Sequence, residues 1–369
     1  MKNKYIVALI MVFAVWGQIQ AQTDGGILRG SVKDKDNGNV LAYGYVTLVE
    51  LEMKVEVDIN GIYTFPKVPV GTYTLFATYS SYDTFQKKVT IVANKITAQN
   101  IPLTKRFREI EVVKVKGGLG KKSDKEADVG LTRVTAREIA VLPSVGGEPD
   151  LLQYLQVLPG AVFTGDQGGQ LYLRGGSPVM NKVLLDGMVI YNPFHSIGLF
   201  SVFDADFISS ADIYTAGFGA QYGGRISAVV DVKTRDGDLQ KVRKKISVNP
   251  FTAKFNIEGP LKKYAFGENN SSFLLSYKTS YLKQTSSIFY PYVDKVKLPY
   301  TFNDLYGKLS FNSQNGSYFK MFGFHFRDDV DFPNTTSYSW RSSGFGTKFF
   351  LLPEASKVKV QGNVSYSGY

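Results

Sequence analysis

Short runs of alternating apolar and polar residues follow one another between Ile27 and Leu103. Turn-forming clusters separate these runs, among them Asp36-Asn37-Gly38 and Asp58-Ile59-Asn60-Gly61. Alternation with a period of two is typical of half-buried strands, and turn signals at regular spacing are typical of a small all-β domain. The pattern therefore predicts a small β-sandwich over residues 25–104.

Between residues 127 and 237 the pattern changes to mixed helix and strand. The capping box Thr135-Ala136-Arg137-Glu138 predicts a short helix that ends at Leu142, before a proline. Pro149-Asp150 then begins a second helix, whose apolar positions Leu151, Leu152, Leu155 and Leu158 lie on one face. Four strands are predicted to follow, over residues 170–174, 182–185, 208–214 and 227–234. We therefore predict a compact α/β unit over residues 127–237.

The last third of the chain alternates again, now with a high density of aromatic residues. Residues 244–369 hold 27 of the chain's 51 Phe, Tyr and Trp residues. One predicted strand places Phe273, Leu275, Tyr277 and Tyr281 on one face, with Ser276, Lys278 and Ser280 opposite. A later strand places Tyr318, Phe322, Phe324 and Phe326 on one face, with Gly323, His325 and Arg327 opposite.

Dense aromatic residues facing outward are an aggregation hazard in water but are expected on a transmembrane barrel, which is apolar outside and polar inside. The pattern predicts about six strands over residues 239–369, as the start of an outer-membrane β-barrel with an apolar outer face. His325 is predicted to line the lumen. Because so few strands cannot close around the α/β unit, and because the alternation of Val358 to Tyr369 has no clear stop, we expect an N-terminal fragment with an incomplete barrel.

The N-terminus has the features of a secretory signal peptide. Lys2 and Lys4 precede an apolar run from Tyr5 to Trp16, and the small residue Ala21 suits a cleavage site. The run is too short for a spanning helix, which needs about 20 apolar residues. We predict a signal peptide over residues 1–21 and export from the cytoplasm.

A basic linker is predicted over residues 105–126, where eight Lys or Arg residues accompany four acids and three glycines. Its one alternating segment, Ile110 to Val115, suits addition as a strand to the edge of a partner's sheet. The general interpretation of such a stretch is a solvated tether between domains.

Composition excludes several kinds of chemistry. The chain has no cysteine and two histidines, His195 and His325, so a disulfide framework, a zinc-cysteine site and a cysteine nucleophile are impossible. The net charge is +11, but we predict no nucleic-acid partner for an exported chain. We predict no enzymatic activity, no cofactor and no metal.

The sandwich resembles the carboxypeptidase regulatory-like domain, and no zinc-ligand pair suggests the peptidase itself. The residues that carry this resemblance are Gly30-Ser31-Val32, Asp58-x-Asn60-Gly61-x-Tyr63-x-Phe65 and Val70-Gly71-x-Tyr73.

The α/β unit resembles the plug domain of TonB-dependent outer-membrane receptors, whose elements occur here in the family's order. The residues that carry this resemblance are Leu155-x-x-Leu158-Pro159-Gly160, Leu173-Arg174-Gly175-Gly176, Leu185-Asp186-Gly187, Tyr191-Asn192-Pro193, Ile213-Tyr214-x-x-Gly217 and Tyr222-Gly223-Gly224-Arg225-x-Ser227-x-Val229-x-Asp231-Val232. A regulatory-like sandwich followed by a plug is similar to the Bacteroidetes type of these receptors.

This resemblance implies active uptake of a scarce ligand (siderophore, cobalamin, glycan or peptide) across the outer membrane of a Gram-negative bacterium. The plug gates the barrel, outer-membrane lipid surrounds it, and the sandwich and linker lie in the periplasm. The predicted contact of the TonB energy-transducing complex is Ile110, Glu111, Val112, Val113 and Val115. The alternative is a surface adhesion or ligand-binding protein of β-domains without transport.

Two plug loops are predicted to face the ligand, and three charged residues are predicted to join plug and barrel. The ligand-facing residues are Thr164, Asp166, Gln167, Tyr191, Asn192, Phe194 and His195. The structural residues are Arg174, Asp186 and Arg225, with both arginines expected in buried ion pairs because a buried charge requires a partner.

Overall fold

The computed structural model describes residues 25–106, 130–141, 149–156, 158, 160–164, 170–195, 198, 200–265, 267–289, 298–332, 336–353 and 358–369. The predicted signal peptide and residues 107–126 of the predicted linker lie outside this set. The architecture is mainly β, as predicted. The described residues divide into two compact units, one built from residues 25–36, 40–106, 352–353 and 358–359, and the other from the remaining described residues.

The first unit contains a β-sandwich with two sheets. Its strands are β1 Gly26–Asp34, β2 Tyr45–Leu48, β3 Met53–Glu56, β4 Ile62–Val68, β5 Gly71–Thr78, β6 Phe85–Ile91, β7 Ile96–Ala98 and β8 Ile101–Leu103. In one sheet β1 pairs antiparallel with β4 and parallel with β7 and β8. The other sheet has the order β3-β2-β5-β6. Leu28, Val46, Phe65, Leu75 and Ile91 are fully buried in the core that both sheets share.

The predicted turn before β4 forms as its residues require. The Asp58 carboxylate accepts hydrogen bonds of 2.8 Å from the backbone N–H groups of Asn60 and Ile62. Gly61 has a φ of 75°, which a residue without Cβ adopts at little cost. Side-chain capping therefore stabilises the turn that leads from β3 into β4.

The second unit begins with an α/β region, residues 130–234. Its strands are β9 Leu131–Thr135, β10 Ala161–Thr164, β11 Gln170–Leu173, β12 Lys182–Leu185, β13 Met188–Val189, β14 Phe194–His195, β15 Phe200–Ser201, β16 Ile208–Tyr214 and β17 Val229–Thr234. Five of them form a sheet of order β13-β12-β17-β16-β9, and the others form two two-stranded sheets, β10-β11 and β14-β15. The helices are α1 Ala136–Val141 and α2 Leu151–Gln156.

Both predicted helix starts are confirmed. The Glu138 carboxylate accepts hydrogen bonds from the backbone N–H and the hydroxyl of Thr135, and the Glu138 N–H points back to that hydroxyl at 3.4 Å. Asp150 caps α2 by accepting the Leu152 N–H at 2.7 Å. Leu151, Leu152 and Leu155 are buried, as their shared face predicts. The strands predicted at residues 182–185 and 208–214 form with those bounds.

The rest of the second unit is a seven-stranded antiparallel sheet, here called the wall, in which each strand pairs with the next along the chain. Its strands are β18 Arg243–Val248, β19 Thr252–Lys262, β20 Asn270–Ser280, β21 Tyr300–Asn312, β22 Tyr318–Phe332, β23 Thr336–Leu351 and β24 Val360–Gly368. Helix α3 Leu282–Phe289 follows β20. Seven strands form where the sequence predicts about six.

One face of the wall, its inner face, packs against the α/β region. In β20 the prediction of faces is correct, since Ser276, Lys278 and Ser280 are buried while Leu275 and Tyr277 are exposed on the outer face. The sequence therefore places this strand correctly.

In β22 the prediction of faces is wrong. Phe322, Phe324 and Phe326 are buried in the core of the α/β region. His325 instead lies exposed on the outer face, with its Nδ1 2.7 Å from the Ser343 hydroxyl, and does not line the interior.

Contact with the α/β core explains this inversion, and two glycines of β23 make room for it. Phe322, Phe324 and Phe326 belong to the same buried apolar cluster as the leucines and valines of the α/β region. Gly346 and Gly344 are paired with Phe322 and Phe324. A Cβ atom on Gly344 would lie 2.4 Å from the Phe324 ring, and one on Gly346 would lie 2.5 Å from the Phe322 ring, so the rings occupy the space that the missing side chains leave.

This arrangement predicts that Gly344→Ala destabilises the second unit, because its methyl group displaces the Phe324 ring. Overpacking of this kind typically costs about 1–3 kcal/mol. Thermal unfolding of the full chain in detergent measures the effect.

Gly307→Ala is the matched control, because a Cβ atom at Gly307 meets only a methyl group of Leu275, at 3.6 Å. A loss of stability in this control as large as that in Gly344→Ala would show that the Phe324 ring does not fill the space beside Gly344.

Candidate functional site

The contact between the inner face of the wall and the α/β region is unusually rich in buried charge. Lys254, Lys278, Asp304, Lys308 and Asp328 project from four neighbouring wall strands, and each is less than a tenth exposed. The neighbours of each of these residues along the strand point outward, because successive side chains of a strand point to opposite faces. We call this contact the polar interface.

His195 forms the most enclosed group of the polar interface. Its Nδ1 lies 2.9 and 3.0 Å from the two carboxylate oxygens of Asp328, and its Nε2 lies 2.9 Å from Asp304. The ring stacks on Phe302 with 4.2 Å between centroids and 3° between planes. Burial disfavours the imidazolium, but the two carboxylates outweigh it and raise the pKa of His195 to about 9.

A second group surrounds Lys254. Its ammonium lies 3.0 Å from Asp204 and 2.9 Å from Asp206, both in the segment between β15 and β16. Lys245 adds a further ion pair of 2.7 Å to Asp206. Burial opposes ionisation of Asp206, yet the two ammonium groups lower its pKa below the ordinary value.

A third group surrounds Asp236, just beyond β17. Lys308 and Lys320 approach its carboxylate at 3.2 and 3.0 Å, and the Ser310 hydroxyl donates to it at 2.8 Å. Burial alone would raise the pKa of Asp236, but the two ammonium groups hold it well below its usual range. Charges of opposite sign thus meet at three separate places along the wall.

The turn Asp186-Gly187 connects the edge of the α/β sheet to the wall. The Asp186 carboxylate accepts hydrogen bonds from the Thr234 hydroxyl at 2.5 Å and the Tyr306 hydroxyl at 2.7 Å. Asn363 and Ser365 of β24 donate to the backbone carbonyls of Asp186 and Gly187 at 2.9 and 3.1 Å. Asp186 therefore lies at the contact for which the sequence predicts it, and its structural role stays a prediction.

The predicted ligand loop around residue 191 divides into an exposed and a buried half. Tyr191 is 51% exposed and its ring lies 6.2 Å from that of Tyr369. Asn192 is half-buried and accepts the Phe194 N–H at 3.2 Å. Phe194 and His195 are buried, so the expectation that they face a ligand is wrong in this structure. Their burial follows from contacts to the α/β core and to the wall carboxylates.

The other predicted loop is described only in part. Thr164 is half-buried at the end of β10, and its hydroxyl is buried with no hydrogen-bond partner among the described residues. Asp166 and Gln167 lie outside the described residues, as do Ile110, Glu111, Val112, Val113 and Val115. The proposed roles of all these residues stay predictions.

The expectation of buried ion pairs at Arg174 and Arg225 is wrong. Both side chains are exposed. Arg174 has a φ of 48° in the turn after β11, and Arg225 follows Gly224, which has a φ of 89°. Turns of this kind direct their side chains to the surface, so the charges need no protein partner.

The buried cations are instead lysines on the wall strands, which the sequence reasoning missed. A signal for them exists, because Lys254, Lys278 and Lys308 occupy the strand positions that alternate with outward apolar residues. Lysines at inward positions of apolar-outward strands indicate an ionic contact with whatever fills the interior.

The arrangement binds two layers of protein and has no feature of a reaction centre. Within the described ranges no group of three or more acidic or histidine side chains is placed to hold a metal ion. In that same part of the chain, no helix has the length and apolarity needed to cross a membrane.

Comparison with known families identifies two domains. Residues 27–104 match the family model of the carboxypeptidase regulatory-like domain. Residues 125–230 match that of the TonB-dependent receptor plug domain. The resemblance to TonB-dependent receptors is thereby confirmed: the chain contains a regulatory-like domain followed by a TonB-dependent receptor plug domain. The Bacteroidetes type stays a prediction, and no curated protein matches the chain.

Several solved structures are similar to the chain. The siderophore receptor PirA from Pseudomonas aeruginosa is 16% identical with a TM-score of 0.45, over 65% of this chain and 40% of that one. A mutant of the ferric enterobactin receptor of the same organism, in complex with enterobactin, is 16% identical with a TM-score of 0.45, over 64% of this chain and 40% of that one. The outer membrane transporter YddB from Escherichia coli is 14% identical with a TM-score of 0.45, over 64% of this chain and 38% of that one. The chain spans about two fifths of the length of these structures.

The ion-pair geometry predicts that Lys254→Met strongly destabilises the contact between plug and wall, because it leaves Asp204 buried without its cation. Removing one partner of a buried pair typically costs about 3–5 kcal/mol. Thermal unfolding of the full chain in detergent, followed by protease sensitivity of the plug, measures the loss.

Lys283→Met is the control, since the pair of Lys283 with Asp331, at 2.8 Å, is exposed on both sides. Equal unfolding midpoints for the two variants would show that the polar interface does not hold the plug.

Proposed function

We propose that this chain is part of an outer-membrane receptor that takes up a scarce ligand, with its plug displaced by the TonB energy-transducing complex. The observation that carries this proposal is the match of residues 125–230 to the plug of TonB-dependent receptors, together with the packing of that region on the wall.

The outer face of the wall supports placement in a membrane. Exposed apolar and aromatic side chains cover this face, as on a strand surface in lipid. They include Ile246, Phe255, Leu275, Tyr277, Leu305, Leu309, Phe345, Val364 and Tyr366. In the proposed arrangement the regulatory-like domain and the linker lie in the periplasm, where the TonB complex reaches residues 110–115.

The distribution of polar contacts supports partial displacement of the plug. The contacts to the wall described above come from the second half of the plug, residues 186–236. Strand β9, the first strand after the linker, lies at one end of the plug sheet and pairs only with β16. Tension applied at residues 110–115 therefore reaches an edge strand first, while ion pairs retain the second half.

The ionic nature of the polar interface suits this task. A buried ion pair contributes no more than a well-packed apolar contact, and often less, because desolvation offsets much of the attraction. Water that enters an opened interface solvates both partners, so separation there is less costly than exposing an apolar core of equal area. The plug is thus held in register yet can be parted from the wall.

The chemical class of the ligand stays open among siderophore, cobalamin, glycan and peptide. Tyr191, Asn192 and Thr164 are the described residues that we propose for the ligand side, with Asp166 and Gln167 beside them. Tyrosine and amide groups suit stacking and hydrogen bonding to any of these classes.

Deletion of residues 110–115 is expected to abolish energised uptake and to leave surface binding of the ligand intact, because the coupling segment is lost while the plug remains. Cells that express the full gene are tested with labelled ferric enterobactin, cyanocobalamin, a maltooligosaccharide and an oligopeptide. Binding at low temperature and accumulation on energisation are measured separately.

Deletion of residues 121–126 is the length-matched control within the same linker and is expected to retain uptake. Uptake that survives the first deletion would remove the coupling role from residues 110–115.

The mature protein is expected in the outer-membrane fraction and resistant to extraction with carbonate, because the wall exposes an apolar outer face. Fractionation and immunoblotting of the expressing cells measure this. Recovery in the soluble periplasmic fraction would contradict the membrane assignment and favour the adhesion alternative.

A further inference from the structure

The surroundings of His195 impose a requirement on its protonation. Both ring nitrogens lie about 2.9 Å from carboxylate oxygens, of Asp328 on one side and Asp304 on the other. An ionised carboxylate only accepts hydrogen bonds, whereas a neutral imidazole has one N–H donor and one lone pair. Both contacts are therefore favourable only when His195 carries two N–H groups, as imidazolium.

One lysine and two aromatic rings also surround the imidazole. Lys278 lies opposite Asp304 in the register of β20 and β21, and its ammonium donates to the Ser201 carbonyl at 3.1 Å and lies 5.2 Å from the Phe302 ring centroid. On its other side Lys278 lies opposite Lys254, whose ammonium is paired with Asp204 and Asp206. Phe302 stacks on the imidazole, and Phe326 meets it edge-on, so a positive ring is further favoured by the aromatic face.

Loss of the proton would be costly at this position. His195 is fully buried, so water cannot solvate the lone pair of the deprotonated ring nitrogen. The neutral ring would place that lone pair against a carboxylate at hydrogen-bond distance. Tyr369 also lies within electrostatic reach of Asp328.

His195 is also the last residue of strand β14. β14 pairs with β15 through Phe194 and Ser201, and the Ser201 carbonyl accepts a hydrogen bond from Lys278 at 3.1 Å. The exposed Tyr191 and the half-buried Asn192 lie immediately before β14. The position of these two residues therefore depends on how β14 is fixed.

We propose that His195 is a protonated clip: its imidazolium fixes residues 191–195 to strands β21 and β22, and loss of the proton frees this segment. His195 is thus a positioning residue for Tyr191 and Asn192, which a ligand reaches while His195 stays enclosed. Only the link to ligand binding rests on the proposed function; the clip itself can be tested without any ligand.

The pH dependence has a definite sign. The pKa of His195 is raised from its ordinary value to about 9 by the two carboxylates. A group with a raised pKa in the folded state contributes stability that is complete below its unfolded pKa, about 6.5, and is lost as the pH rises through the folded pKa. The clip is closed at neutral pH and opens near pH 9.

The chain has no cysteine, so Ser201→Cys in the full protein supplies a single buried thiol beside the clip. Its reaction with a methanethiosulfonate reagent is measured from about pH 6 to about pH 10 in detergent. Ser80→Cys, at an exposed turn, corrects for the intrinsic pH dependence of a thiol. We expect protection at neutral pH and at least a tenfold increase in the corrected rate with a midpoint near 9.

Two variants and one control separate a protonated clip from a merely structural histidine. His195→Gln should leave the thiol reactive at every pH, whereas His325→Gln, at the exposed histidine, should behave like the parent. Asp328→Asn should keep the thiol protected even at pH 10, because the new amide N–H can donate to a neutral imidazole. Opening of Asp328→Asn at the same pH as the parent would overturn the proposal.

A second measurement needs no cysteine. Nitrogen-15 spectra of the parent should show both ring nitrogens of His195 protonated at neutral pH, and hydrogen exchange of the β14 and β15 amides should accelerate near pH 9 beyond the intrinsic rate. A single protonated ring nitrogen at neutral pH, or exchange without this step, would also overturn the proposal. Failure of uptake with an intact clip would count against the proposed function alone.

Discussion

The second unit depends on one constraint: charged groups that leave water must meet a partner of opposite charge. Wall strands that are apolar outside and lysine-rich inside cannot fold against an arbitrary layer of protein, because each buried ammonium requires a carboxylate at a particular place. Asp204 and Asp236 supply this complement to the wall lysines, and His195 supplies a cation to the wall carboxylates Asp304 and Asp328. The register between plug and wall is therefore fixed by charge as much as by shape.

Apolar packing acts together with this constraint. The phenylalanines of β22 join the buried core of the plug, so plug and wall share one hydrophobic cluster. Apolar contacts contribute most of the attraction in proportion to buried area, but they tolerate sliding. Ion pairs contribute less and tolerate it poorly, since a shift of one residue along a strand turns every side chain to the other face. The two contributions together give a contact whose register is specific.

Local features of this chain could be predicted because local chemistry determines them. The capping box at Thr135, the Asp58 turn and the strand at residues 208–214 each follow from residues within a few positions. The family motifs of the plug likewise lie along the sequence and are matched in order.

Features that depend on a partner strand could not be predicted from one strand alone. The alternation in β22 is equally consistent with aromatics inside or outside, and the apolar core of the α/β region, which lies far away in the sequence, decides between them. The sequence predicts buried ion pairs for Arg174 and Arg225, whereas wall lysines form the buried ion pairs. Arginines within family motifs are conspicuous in a sequence, and lysines at inward strand positions are not. His195 looked like part of an exposed aromatic loop because the carboxylates that enclose it are more than a hundred residues away.

The slots opposite Phe322 and Phe324 have a consequence for any passage that opens beside β22. Rings that sit in glycine slots present a smooth, low-relief surface with few hydrogen-bonding groups, and water wets such a surface poorly. A solute moving past it would meet little friction from polar groups there, while the lysines of the flanking strands would hold a film of ordered water. The inner face of the wall would then have two neighbouring strips that differ in hydration, an aromatic strip that water wets poorly and a cationic strip that water wets well.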